Sequence, residues 1–495
     1  MSHLKIKHFF PLIVLLVLYF VIRLQHLQAI PVFGDEAIYL RWSQLIKNVE
    51  TLRFVPLSDG KEPLFMWLTA FTYKFISDPL IAGRFLSVIF GSFTLITLYL
   101  FGLFFINYQV SIISSLVYIL IPFTFFFDRL ALPDNLLSFL GMLSLFFAFL
   151  LAKYPRLDLS LILGVVLGLS WLTKSPAIYF VVLAVLTFVL FQKNNYQKIY
   201  FPLISAVMAF VIYNILRLGP QFSQIALRNR DYIWPLTEVL KHPFDPLMPH
   251  IKDIFAIYGE FISLPLIILG ILGIFFSFKN KLFRHPLLLV VLWWILPILA
   301  NAGIAKVFTA RYILFTVPPL IILLATGIYY FFEYTREYFK NRLPQILILA
   351  ICFVFNIYSL YRISVKPFFV TLSSTENGYL SGWTSGWGIK DASTYLIQRS
   401  KIANVIVGTE GYFGTLPDGL QIYTDGLKNL TVFGVGLDLT DVPEKLIDAR
   451  NHGDEVYMLF NQSRLKLTPS ELNKVSLVSR FSKPGNDNLL LYRLN

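Results

Sequence analysis

The chain has a single cysteine, Cys352, so it can form no internal disulfide and build no cysteine-based zinc or iron–sulfur site. Charge is scarce as well. Only 14% of the 495 residues are charged and 56% are apolar, too little polar surface for a water-soluble protein of this length. No His-rich cluster accompanies the paired acids described below, so no metal is required, although those acids leave room for a divalent cation. Acidic residues are fewer than basic ones, 29 against 42, giving +13. That excess is local: from residue 365 onward there are 13 basic and 13 acidic side chains, so all of it resides in the apolar first 364 residues. A basic surplus in loops between apolar runs is what anionic lipid and the positive-inside rule select, so no nucleic-acid partner is implied.

A bilayer core about 30 Å thick needs roughly 20 apolar residues per helix. Eleven such runs are expected, near 9–24, 81–105, 109–127, 134–152, 159–173, 176–191, 199–217, 256–278, 286–302, 311–332 and 344–362. The first follows Lys5 and Lys7 but precedes no small-x-small cleavage site, so it reads as a retained anchor. With the N-terminus cytoplasmic, the inner segments carry Lys5, Lys7, Lys153, Arg156, Lys193, Lys198, Lys279, Lys281, Arg284, Arg336, Lys340 and Arg342, and the short outer loops only Arg129, Lys174 and Lys306. This arrangement predicts a multi-pass plasma-membrane protein. Residues 1–364 form its transmembrane module with outer loops at 25–80 and 218–255, and 365–495 an extracytoplasmic domain. In that tail, short apolar runs at 404–407, 430–433, 456–460 and 489–492 read as buried strands, and 391–400, 442–451 and 469–474 as helices, which predicts a small α/β domain. Its Gly408-x-x-Gly411-x-x-Gly414 run lacks dinucleotide-loop spacing and reads as a glycine-rich turn.

Polar residues that could carry chemistry fall on the outer side. Asp35 and Glu36 stand about ten residues after the first run, either as first-turn helix acids or with one as a general base. In this stretch Ala37, Leu40, Leu45 and Ile46 could lie on the membrane interface. Lys61, in Gly60-Lys61-Glu62-Pro63, either meets a phosphate headgroup or snorkels at the bilayer edge. Arg84, Arg129 and Lys174 add cations, and Asp128 and Asp134 add acids around one short loop. Acids and cations gathered on one face suit glycosyl transfer from a polyprenyl-phosphate sugar: a carboxylate takes the acceptor proton and cations stabilise the departing lipid phosphate.

The order of motifs resembles the bacterial branch of the GT-C superfamily, the protein O-mannosyltransferases and lipid A aminoarabinose transferases. The motifs are Gly-Asp-Glu-Ala at 34–37, Lys-x-Pro-Leu-x-x-Trp-Leu at 61–68, Gly-Arg-Phe-Leu-Ser at 83–87, Arg-x-x-x-x-Asp at 129–134 and Leu-Thr-Lys-Ser-Pro at 172–176. The resemblance covers roughly 9–220. It implies a GT-C-like helical bundle with interfacial helices in the first outer loop, Asp35 as catalytic base, Lys61 at the lipid-carrier phosphate and Asp134 in the active site. Where the family more often reads Glu-Lys-Pro-Pro, this chain has Gly60-Lys61-Glu62-Pro63, so Glu62 either substitutes for the displaced carboxylate or that function is absent. The expected function is that of an inverting transferase with a polyprenyl-phosphate-linked sugar as donor, a protein, lipid or glycan as acceptor, membrane lipids as partners and no required cofactor. Two other classes compete: a transporter or flippase for a lipid-linked glycan, and an anchored carbohydrate-binding tail. Against the first, the spans hold little central charge and no repeat stands out.

Overall fold

A computed structural model describes residues 8–192, 196–277, 281–336, 338 and 343–495. Of the cations used to orient the chain, Lys5, Lys7, Lys193, Lys279, Lys340 and Arg342 lie outside the described residues. The chain divides into two compact units. The first comprises Met1–Gln25, Arg53–Phe65 and Arg84–Tyr361, and the second His26–Leu52, Met66–Gly83 and Arg362–Asn495.

The first unit is helical, and the protein is an integral membrane protein. Among the described residues six helices are long and apolar enough to cross a bilayer: Pro79–Phe105, Pro133–Lys153, Tyr200–Leu218, Pro286–Ile304, Leu314–Thr335 and Leu343–Val365. Four shorter apolar helices, Phe10–Leu24, Tyr108–Leu120, Leu157–Thr173 and Ser175–Phe191, fall on four more of the expected runs. The last, expected as one straight span over 256–278, is a pair, Leu247–Phe261 and Leu264–Leu272, bent by 105°. Pro265 has no N–H to return to the Phe261 carbonyl, and the hydroxyl of Ser263 at the break donates to the Cys352 carbonyl at 2.8 Å. The outer loop read as 218–255 is itself helical over Gln224–Tyr232 and Leu236–Lys241.

The run at 109–127 is also broken, at Ile121-Pro122. Proline has no N–H to return to the carbonyl four residues earlier, which leaves the Tyr118 carbonyl without its helical partner. A buried arginine from the first span fills the gap: Arg23 donates to the carbonyls of Ile119 at 2.9 Å and Tyr118 at 3.1 Å. The same guanidinium pairs with Asp128 at 3.1 Å, and the hydroxyls of Tyr19 and Tyr118 donate to that carboxylate at 3.1 and 3.0 Å. Gly91 lies against this knot, where a β-carbon would stand 2.0 Å from the Tyr19 hydroxyl.

The second unit is built on a five-stranded sheet in the order β2-β1-β3-β5-β4, with β1 at Val405–Glu410, β2 at Leu430–Gly436, β3 at Glu455–Asn461, β4 at Val475–Phe481 and β5 at Leu489–Leu494. β1 runs parallel to both β2 and β3, and β5 is antiparallel to β3 and β4. The three helices expected between strands are present at Ile389–Ser400, Glu444–Asn451 and Pro469–Leu472. One strand, β4, and one short helix, Asp418–Thr424, were not expected. β4 is an edge strand with few buried side chains, and the helix is only seven residues long.

The first outer loop differs from the expectation that it belongs wholly to the transmembrane module, since 26–52 and 66–83 group with the tail. Helix Gly34–Asn48 buries Ala37 and Leu40, and it is fastened to the Asp418–Thr424 segment rather than being merely an interfacial helix. Gln44 donates to the Ile422 carbonyl at 2.8 Å, and Arg41 pairs with Asp425 at 2.6 Å. At the head of the helix the Gly34 N–H donates to the Thr384 carbonyl at 3.0 Å, so close that a β-carbon there would stand 2.9 Å from the Thr415 hydroxyl.

Candidate active site

In the first unit, residues of three motifs meet in two adjoining contacts. Asp134, in the first turn of Pro133–Lys153, accepts from Lys174 at 2.6 Å; its other oxygen, Oδ2, is buried without a hydrogen-bond partner. Lys174 ends Leu157–Thr173 as its C-cap, 5.1 Å from the Tyr312 ring centroid. The next residue, Ser175, donates to Glu62 at 2.6 Å and accepts from Asn229 at 3.3 Å. Glu62 is buried, and burial raises its carboxyl above the usual range despite the Ser175 hydrogen bond. Lys61 donates to the Tyr232 hydroxyl at 3.3 Å, and its ammonium lies 4.6 Å from that ring's centroid.

Arg84 and Arg129 are both fully buried in the same unit. Arg129 donates to the Gln25 carbonyl at 2.8 Å and its guanidinium carbon is 4.6 Å from the Phe125 centroid. Burial, with the positive charges of Arg84 and Arg23 nearby, lowers Arg129 to about 9. A guanidinium in such surroundings stays charged at an electrostatic cost, which an anion beside it relieves. Arg23 is already matched by Asp128. The carboxylate of Asp128 therefore holds the bundle together.

In the second unit, the adjacent acids Asp35 and Glu36 play different parts. Glu36 is fully buried and accepts from the Phe33 N–H at 3.0 Å, satisfying an amide just before the helix. Asp35 is only half-buried in the same first turn. Glu36 and Asp35 thus differ in burial, and Glu36 accepts the amide before the helix. Nor does Asp134 cap its helix, whose N-cap is Leu132. Among the described residues no group of three or more His, Cys, Asp or Glu could hold a metal ion.

Sequence reading missed Arg23, Ser175, Asn229 and Tyr232 as parts of these arrangements. For Arg23 there was a signal, an arginine at the end of an otherwise apolar run, which must find a partner if the bundle closes over it. Tyr232 and Asn229 carried none, because they come from a loop more than 160 residues away from Lys61 and Glu62 in the chain.

Residues 60–216 match the family model described as dolichyl-phosphate-mannose-protein mannosyltransferase. The sequence has no match among curated proteins. Among solved structures, ArnT from Cupriavidus metallidurans in the apo state aligns with a TM-score of 0.59 at 15% identity, over 98% of this chain and 97% of that one. The same protein bound to undecaprenyl phosphate gives 0.58 at 14% identity, with the same coverage. The archaeal oligosaccharyltransferase AglB from Archaeoglobus fulgidus, in complex with an inhibitory peptide and a dolichol-phosphate, gives 0.53 at 13% identity over 92% of this chain and 69% of that one.

Proposed function

We propose that this membrane glycosyltransferase, whose fold is that of the GT-C enzymes, moves one sugar from a polyprenyl-phosphate carrier to a hydroxyl acceptor on a protein, lipid or glycan, with inversion at the anomeric carbon. The observation that carries the reading is the buried cationic cluster of the first unit. Arg84 and Arg129 lie fully buried where charge is costly, and a lipid-linked phosphate is an anion whose tail partitions into the same apolar surroundings. Lys61, held by Tyr232, is a further phosphate ligand. Lys174 is paired with Asp134, so its part is to position that carboxylate before it is to bind donor.

In the reaction, the bond between the anomeric carbon and the phosphate oxygen breaks, and its electron pair leaves with polyprenyl phosphate. The acceptor oxygen forms the new bond to the anomeric carbon, and its proton passes to Asp35. Glu62, buried and hydrogen-bonded by Ser175, is the second candidate carboxylate. The chemistry is not redox, and in this reading the cations take up the leaving phosphate's charge. A divalent cation, if held by the paired acids Asp35 and Glu36, would supply further positive charge. Transfer rather than transport is favoured by the family match over 60–216.

The direct test is reconstitution in vesicles with a panel of polyprenyl-phosphate monosaccharides, scored for acceptor-dependent release of polyprenyl phosphate. Movement of the intact lipid-linked sugar across the bilayer without release would support the transporter. Lys61→Ala should weaken donor binding about ten- to hundredfold, the worth of one charge-assisted contact of about 1.5–3 kcal/mol, and Lys61→Arg should weaken it less. Unchanged donor affinity in Lys61→Ala would leave Lys61 as a bilayer-edge anchor.

The orientation proposed is N-terminus inside and tail outside, in the plasma membrane. Cys352 is buried and provides a quiet background for introduced thiols. Cysteine at exposed Ser77 should react with an impermeant thiol reagent in intact cells, and cysteine at exposed Tyr154 should not. The opposite pattern would invert the topology.

A further inference from the structure

The sheet of the second unit reverses its direction of growth at β1. The chain goes from β1 outward to β2, then crosses back over β1 to β3 and continues to the antiparallel pair beyond. In open α/β sheets a crevice forms at such a point, outside the carboxyl ends of the two strands where the chain departs in opposite directions. Here those ends are Glu410 on β1 and Asn461 on β3.

The side chains at this edge form a fixed polar floor. Glu410 accepts from both the backbone N–H and the side-chain amide of Asn461, each at 2.7 Å. Lys483, buried, donates to the Asn461 side-chain oxygen and, at 2.6 Å, to the carbonyl of Ser385. The Ser385 hydroxyl beside it is buried without a hydrogen-bond partner. Burial raises the Glu410 carboxyl and pushes Lys483 down to about 8.

Around the floor stand aromatic rings that a folded domain would ordinarily bury. Trp383 is 44% exposed although the Arg464 guanidinium lies 3.7 Å from its ring centroid, and its carbonyl accepts from Asn461 at 3.5 Å. Tyr412 and Phe413 are 75% and 63% exposed. They are held out by the glycine-rich turn that follows β1: Gly411 and Gly414 have φ of +69° and +114°, and the Asp418 carboxylate fixes the turn by accepting from the Gly414 N–H at 2.6 Å. A turn fixed at both ends and presenting two bare rings is an unusual use of surface.

We propose that this carboxyl edge of the sheet, bounded by Trp383, Tyr412, Phe413, Asn461 and Arg464, is a binding site for a neutral oligosaccharide, the glycan part of the acceptor. Flat rings match the C–H faces of pyranoses, while the partly exposed Arg464 is suited to donate hydrogen bonds to sugar hydroxyls. A phosphorylated ligand suits it less well, because Glu410 lies in the floor and the helix after the turn, Asp418–Thr424, has only seven residues. Calling the glycan an acceptor rests on the glycosyl-transfer reading; the binding itself does not.

The test is saturation-transfer NMR on the full-length protein, held in a detergent without sugar headgroups, with maltotriose, mannotriose and chitotriose as probes. At least one trisaccharide should receive saturation on its ring protons. Trp383→Ala and Tyr412→Ala should each weaken its binding at least tenfold, and Trp383→Phe, which keeps a ring, should weaken it less. Tyr334→Ala, an exposed ring in the other unit, should change nothing. Binding of a polyprenyl-phosphate sugar is measured on the same samples. Protein that binds the donor but none of the three trisaccharides overturns the site, as does a trisaccharide signal that survives Trp383→Ala and Tyr412→Ala. Trisaccharide binding without donor binding would keep the site and overturn the transferase reading.

Discussion

Asp35→Asn should lower sugar transfer by at least about a hundredfold while leaving donor binding close to normal. An amide keeps the shape of the carboxylate but cannot accept the acceptor's proton, and general-base catalysis commonly contributes about 10²–10⁴-fold. The adjacent acid supplies the control. Glu36 is fully buried and accepts the Phe33 N–H, and the carbonyl oxygen of a glutamine can do the same, so Glu36→Gln should retain most activity. A helix-stabilising role for Asp35 predicts the reverse ranking, since asparagine serves near a helix start about as well as aspartate. Single-turnover rates at saturating donor decide between them. Asp35→Asn at near wild-type speed would falsify the assignment and pass the base role to Asp134 or Glu62.

The second large effect is on stability. Asp128→Ala should destabilise the protein by about 3–5 kcal/mol, because it leaves the Arg23 guanidinium buried with no counter-charge and strips the Tyr118 hydroxyl of its acceptor, while Tyr19 keeps the Val88 carbonyl. Arg23→Met should cost a similar amount, since it leaves Asp128 without its counter-charge and removes a donor from the Ile119 carbonyl and one of two from the Tyr118 carbonyl. Removing both charges with Arg23→Met and Asp128→Leu should recover much of the loss, since an apolar pair leaves no buried charge. Thermal unfolding in detergent gives the cycle. Single and double variants that melt together with the wild type would show that the knot contributes nothing.

The spans were legible because a bilayer requires long apolar runs, and each expected run falls on an apolar helix or, in one case, a bent pair of them. What periodicity could not show was where two of them break, since the breaks at Ile121-Pro122 and Ile262-Ser263 interrupt runs that stay almost wholly apolar. In the tail, buried strands announced themselves as apolar clusters, whereas β4, solvated along much of its length, did not. The candidate residues could be found one by one, but their pairings are long-range facts. Lys174 and Asp134 are 40 positions apart, and nothing in either motif says that one neutralises the other. Likewise, the amphipathic pattern of Gly34–Asn48 suggested a face for the membrane interface, whereas the helix is tied to the Asp418–Thr424 segment.

What covers that face bears on how this protein can be taken apart. The helix carrying Asp35 packs on the Asp418–Thr424 segment and is tied to it through Gln44 and Arg41. Cutting away the tail would leave that helix with a bare apolar face and two severed polar links, whether or not the tail ever touches substrate. Loss of activity on truncation would therefore say little about acceptor binding. Chimaeras between related enzymes should exchange residues 26–52, 66–83 and the tail together, as one inheritance, or the proposed base will arrive on a helix with nothing to rest against.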